Sequence, residues 1–111
     1  MAEKMLFWVG SSLLDTRTFP EQPKQRAGYQ LFLVQQGHEP DDWKPMPAVA
    51  PGVREIRIHH QGEYRILYVA TFPEGVYVLH SFQKKTQRTR QTDIEIARAR
   101  YAAVLRTRTK R

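Results

Sequence analysis

The residues best suited to chemistry in this chain are cations placed at the ends of apolar strands. Residues 76–89 read VYVLHSFQKKTQRT, an apolar strand pattern that runs straight into Lys84 and Lys85. Upstream, VREIRIHH alternates, so Ile56 and Ile58 face one way while Glu55 and Arg57 face the other. In EYRILYVATF, Arg65 shares a face with Leu67 and Val69. A guanidinium among apolar strand residues is costly unless it is paired or placed at a site. Two readings follow. Arg65 forms a structural ion pair with Glu55 across adjacent strands, or Arg57, Arg65, Lys84 and Lys85 converge on one end of a sheet to hold a phosphate. Arginine suits the second role because its planar fork matches phosphate oxygens two at a time.

The charge distribution points the same way. The chain holds 18 Lys+Arg and 11 Asp+Glu, for a net charge of +7. Residues 1–83 carry 8 basic and 9 acidic groups, and residues 84–111 carry 10 and 2, so the whole excess lies in the last quarter. Such a field suits a polyanion, nucleic acid being the usual one, although a solvated basic tail has the same composition. The cations Lys84, Lys85, Arg88, Arg90 and Arg98 are the candidate nucleic-acid contacts. His59 and His60 are adjacent on a strand and their side chains diverge, while His38 and His80 are distant. No carboxylate falls at a familiar ligand spacing, so no metal site and no cofactor are expected. His80, between Leu79 and Ser81, reads as a core histidine, with an acid–base role as the alternative.

With 111 residues, 41% of them apolar, the chain is expected to form one domain, 1–111, with a basic tail from about residue 106. There is no cysteine, which excludes disulfides and thiolate metal sites. The apolar run at 5–9 is too short for a signal-peptide core or a membrane span, so a cytoplasmic protein without a membrane partner is expected.

The elements that must position these cations can be read in order. A first strand is predicted at 5–9. Ser12 and Asp15 resemble a capping box opening a short helix near 13–18. Pro20 suits a first helical turn, Ala27, Leu31 and Val34 share a helical face, and Gly37 caps the end. Four prolines between 38 and 52 predict a loop without regular structure. The period then changes to two, giving antiparallel strands at 53–59, 64–72 and 76–82, the last two apolar on both faces as central strands are. Thr92 and Glu95 form a capping signature, and Ile94, Ala97, Tyr101 and Val104 make one stripe of a final helix, with Arg98 on another side. The predicted class is α+β.

The run GVREIRIHHQGEYRILYVATFPEGVYVLHSFQKKTQRT, followed by DIEIARARY, resembles the RelE/HigB superfamily of bacterial toxin–antitoxin systems. The phage-derived, HigB-like branch is the nearest. WVGSSLLD, FPEQPKQRAGYQL and PDDWKPMP extend the resemblance over nearly the whole chain. It implies a RelE-like fold, a helical hairpin packed on an antiparallel sheet. It also implies an endoribonuclease, an mRNA interferase that in most relatives cuts codons in the ribosomal 30S A site. A helix-turn-helix antitoxin holds such proteins inactive. Cleavage is metal-free: the ribose 2′-hydroxyl attacks the adjacent phosphate, leaving a 2′,3′-cyclic phosphate and a 5′-hydroxyl.

The resemblance assigns roles by position. The arginine of Y-R-x-x-Y corresponds to Arg65, which would hold the scissile phosphate. Lys84 and Lys85 correspond to the basic pair after the last strand, and Lys85 stands where many relatives have arginine. Arg57 would orient the phosphate or assist proton transfer, and Glu55 is a candidate general base. Several relatives complete the site with a tyrosine or histidine soon after the basic pair, and residues 86–91 contain neither. The general acid and base are thus left open. Two other function classes fit the same basic surface: a non-catalytic nucleic-acid-binding, phage-derived regulatory module, and a protein-interaction subunit that docks an acidic partner.

Overall fold

The computed structural model describes residues 3–109. In chain order the elements are β1 (Met5–Trp8), α1 (Ser12–Arg17), α2 (Glu21–Gln35), β2 (Trp43–Pro45), β3 (Val53–His59), β4 (Glu63–Val69), β5 (Gly75–Lys84) and α3 (Gln91–Thr109). The strands form one sheet in the order β1-β5-β4-β3-β2. The β2–β3, β3–β4 and β4–β5 pairs are antiparallel, and β1 lies parallel to β5. The fold is α+β, as the patterning predicts, and is compatible with a RelE-like architecture.

Each face of the sheet has its own cover. The α1–α2 hairpin buries Phe19, Ala27, Leu31 and Val34 against Ile56, Ile58, Tyr64, Ile66, Tyr68, Val76 and Val78. On the other face, Ala97 and Val104 of α3, with Ile94 and Tyr101 beside them, pack on Val53, Leu67, Val69, Tyr77 and Leu79. The predicted stripe of α3 is therefore the one that docks. Central β4 and β5 are apolar on both sides because both sides are covered.

One irregularity sets the chemistry. Leu67 pairs with His80 but Tyr68 pairs with Val78, so Leu79 is an extra residue on β5. Side chains alternate with period two, so this bulge moves everything beyond it to the opposite face. His80, Phe82 and Lys84 thereby join Leu67, Arg65 and Glu63 on the α3 side, while Ser81 turns to the hairpin and accepts a hydrogen bond from Thr16.

Several expected details differ. The 38–52 segment is not wholly irregular: Trp43–Pro45 is a short edge strand. Pro45 is tolerated because it ends an edge strand, and Arg54 stacks its guanidinium 3.9 Å from the Trp43 ring centre. The N-cap of α1 is Ser11, whose hydroxyl donates to Asp15, whereas Ser12 is already helical and donates to the Val78 carbonyl. Gly37 follows the C-cap Gln36 at φ 87°, and the amides of Gly37 and His38 close on the Val34 and Leu33 carbonyls, the left-handed termination that glycine favours. Thr92 is no cap, since α3 already includes Gln91 and the Ile94 amide bonds the Arg90 carbonyl. Strand β4 ends at Val69 rather than continuing to Phe72. The expected tail from 106 is helical through Thr109. Arg108 donates to both Glu74 oxygens, at 2.5 and 3.2 Å, and lies over Phe72, while residues 110–111 fall outside the described residues.

Candidate functional site

Beyond the apolar patch covered by α3, the same sheet face turns polar. Alternation places Lys44 on β2, Glu55, Arg57 and His59 on β3, Glu63 and Arg65 on β4, and Phe82 and Lys84 on β5 on that face. Arg57 stands directly opposite Arg65, and Glu63 stands between His59 and Lys84. Arg57, Arg65 and Lys84 are thus brought together by register. Two guanidiniums facing each other across strands repel, so their neighbours decide what the arrangement can do.

Glu55 is the counter-charge beneath them. It is fully buried, its Oε1 lies 3.6 Å from Arg65 Nε and 3.9 Å from Lys44 Nζ, and its Oε2 accepts from Thr89 at 3.0 Å. The ion pair between Arg65 and Glu55 considered from the sequence is present. Arg65 also donates to the Tyr64 carbonyl at 3.1 Å and to Glu63 at 2.9 Å. It is 2% exposed, so only an edge of it reaches the surface. Arg57 differs. Among the described residues its guanidinium has no hydrogen bond or ion pair, and its buried Nε is unsatisfied.

Four cations thus share this face with two carboxylates, Glu55 and Glu63. The imbalance registers on Lys84, whose pKa is pushed down by partial burial and then by Arg65, with Lys44 and Arg57 adding and Glu55 opposing. A cation made unfavourable by its surroundings gains most from an arriving anion. The surface above is an open concavity of about 610 Å³ lined by Glu63, Arg65, Lys84, Lys85, Thr86 and Gln87. Lys84 is the last residue of β5 and Lys85 follows it into the 85–90 connection, where Lys85, Arg88 and Arg90 are exposed. Thr89 pins that connection over Glu55. Arg98 lies apart: its Nε donates to the Ala48 carbonyl at 2.7 Å.

His80 is buried and bonded through Nε2 to Asp93 at 2.7 Å, with its ring stacked on Phe82. This ties the start of α3 to β5. Its Nδ1 is buried and unpartnered. Sequence reasoning missed a different group. His59 Nε2 lies 2.6 Å from Asp42, and its Nδ1 lies 2.7 and 2.9 Å from the two oxygens of Glu63. The His59–Glu63 contact had a legible signal, namely a carboxylate four residues on, across the turn at Gln61-Gly62. Asp42 had none, because its approach depends on where the loop before β2 returns. Among the described residues no group of three or more His, Cys, Asp or Glu is arranged to hold a metal ion, and no helix is long and apolar enough to cross a membrane.

The family model for phage-derived Gp49-like proteins (DUF891) matches residues 15–102. The chain belongs to that family. Gp49-like proteins fall within the RelE/HigB-like toxins of toxin–antitoxin systems, so the family expectation from the motifs holds at this level. No curated protein has significant sequence similarity to this Gp49-like chain. The match spans α2, the whole β2–β5 unit and most of α3, and therefore all of the polar face just described.

Proposed function

We propose that this Gp49-like protein is the toxin of a type II toxin–antitoxin system, of the HigB-like branch. In this reading it is a metal-independent endoribonuclease that cuts mRNA in the ribosomal A site. The observation that carries the reading is the cation cluster: Arg65, Lys84 and Lys85 line an open concavity, and Arg57, whose guanidinium is unpartnered, stands opposite Arg65 in the strand register. An RNA phosphate supplies the acceptors that Arg57 lacks. Lys84 and Lys85 meet the phosphate at the surface. Arg65 presents one guanidinium edge and adds its field from beneath, where screening by water is weak. When the 2′-oxygen attacks, charge grows on the phosphate oxygens, and donors already in place stabilise it without reorganising. Arg88 and Arg90 on the exposed connection extend the RNA track.

Glu55 takes a different part from the one its type suggests. It is fully buried and held by Arg65, Lys44 and Thr89, so it serves as the anchor that aims Arg65, not as the base. The partner that silences the protein is a helix-turn-helix antitoxin, which would cover or neutralise the same cationic face. The test is induced expression in growing cells. Growth arrest is expected, with relief by the neighbouring antitoxin gene and messages cut to 2′,3′-cyclic phosphate ends in the presence of chelator. Salt-sensitive RNA binding without arrest or cleavage would instead establish the non-catalytic regulatory module.

A further inference from the structure

The fully buried Glu55 leaves the reaction without a base, and residues 86–91 offer no tyrosine or histidine as an acid. Yet the rim of the concavity holds one carboxylate, Glu63, and His59 of the adjoining cavity is hydrogen-bonded to it. Glu63 lines the concavity and touches Arg65 Nη2 at 2.9 Å, so a phosphate on Arg65 would bring its neighbouring 2′-hydroxyl to this carboxylate. His59 sits behind Glu63 on the same sheet face, with Nδ1 shared between both Glu63 oxygens and Nε2 fixed by Asp42. The side chains are 49% and 43% exposed, unlike Glu55, so both can reach a substrate.

We propose that Glu63 is the general base and His59 the general acid of the cleavage. This inference rests on the endonuclease reading above. Glu63 accepts the 2′-hydroxyl proton as the 2′-oxygen bonds to phosphorus. His59 gives its Nδ1 proton to the 5′-oxygen as the bond from phosphorus to that oxygen breaks. The two residues are hydrogen-bonded to each other, so the proton on Glu63 then returns to His59 Nδ1 and the pair is reset. Asp42 holds the Nε2 proton throughout, which leaves the Nδ1 proton as the one to be given.

The local charges favour these starting states. The bond to Glu63, and then that to Asp42, raise the His59 pKa above the usual value, which favours the protonated ring. His59 chiefly, and Arg65 after it, hold Glu63 below the usual carboxylate range and so ionised. The other charged groups around this pair are Arg26 of α2, which donates to the His59 carbonyl, Arg57 on β3, Arg65 and Lys84 beside Glu63, and Asp41, which shares the cavity of His59 and accepts from Gln30.

The experiment compares two messages on ribosomes, one natural and one with sulfur replacing the 5′-oxygen at the cut site. A thiolate leaves without being protonated, so it needs no acid. On the natural message, His59→Gln and Glu63→Gln should each lose on the order of a hundred-fold or more in rate. On the sulfur message, His59→Gln should recover to within about ten-fold of the parent while Glu63→Gln stays slow. The unmutated protein gives a check that needs no variant: its rate on the natural message should fall as pH rises through the His59 pKa, and that fall should vanish with sulfur. A His59→Gln variant that stays equally slow on both messages, or a parent whose alkaline fall is the same on both, overturns the assignment. A parent that cuts the natural message while both variants match it overturns the proton roles alone. A parent that cuts neither message overturns the endonuclease reading and this inference together.

Discussion

The two halves of the α3-facing sheet surface are built from the same strands and do opposite things. In one half Val53, Leu67, Val69, Tyr77 and Leu79 lie under Ala97 and Val104 of α3. In the other, Glu55, Arg57, Arg65 and Lys84 lie beyond the start of α3, covered only in part by the 85–90 connection. The first half removes apolar area from water and pays into stability. The second keeps four cations around one buried carboxylate and one rim carboxylate, an arrangement that gains little for the fold but is poised for an anion. The bulge at Leu79 joins the two halves, because without it His80 and Lys84 would face the hairpin. A single extra residue thus extends β5 from core into site.

That contrast can be broken by matched substitutions. Leu67→Ala, fully buried in the apolar half, should cost about 2–5 kcal/mol in a denaturant titration. Lys85→Ala, exposed at the edge of the charged half, should stay within about 0.5 kcal/mol of the parent and instead weaken RNA cleavage. A Leu67→Ala protein as stable as the parent, or a Lys85→Ala protein that unfolds, would erase the division of labour.

How far the sequence reveals this depends on the range of each signal. The alternation in residues 53–59 and the stripe of α3 are local patterns, and both locate the core correctly. The faces of Glu55, Arg57 and Arg65 follow from the same alternation. Two things escape it. The role of Glu55 depends on burial, which the Thr89 contact and the path of the 85–90 connection decide. The Asp42–His59–Glu63 bridge depends on a loop whose prolines suggest irregularity but not its return path, so His59 reads as an unremarkable strand residue. Neither β2 nor the bulge has a distinctive sequence pattern, since three edge residues and one extra apolar residue look like their surroundings.

The smallest expected effect is on pH-dependent stability, and it sharpens the same contrast because its alkaline side belongs to the charged half and its acid side to the α3-covered half. The folded-state pKa of His59 is raised by Glu63 and Asp42. Its bridge therefore stabilises the fold fully below the ordinary histidine value, about 6.5, and the benefit is lost as pH rises through the raised value. Glu74, held down to about 2 chiefly by Arg108, acts with the opposite sign. Its contribution is present above the ordinary carboxylate range and disappears as pH falls through about 2. Denaturation midpoints across pH should show a shallow decline on the alkaline side that His59→Gln removes. A decline unchanged in His59→Gln would place its origin elsewhere.

The central claim is that Arg65 and its neighbours form a phosphate site. Arg65→Lys tests it most directly, because the lysine keeps the positive charge beside Glu55 but loses the planar fork. With folding confirmed by a thermal melt, cleavage of ribosome-bound message should fall on the order of a hundred- to a thousand-fold, as when one preorganised donor is lost. A folded Arg65→Lys protein that cuts message and arrests growth like the parent would contradict the account.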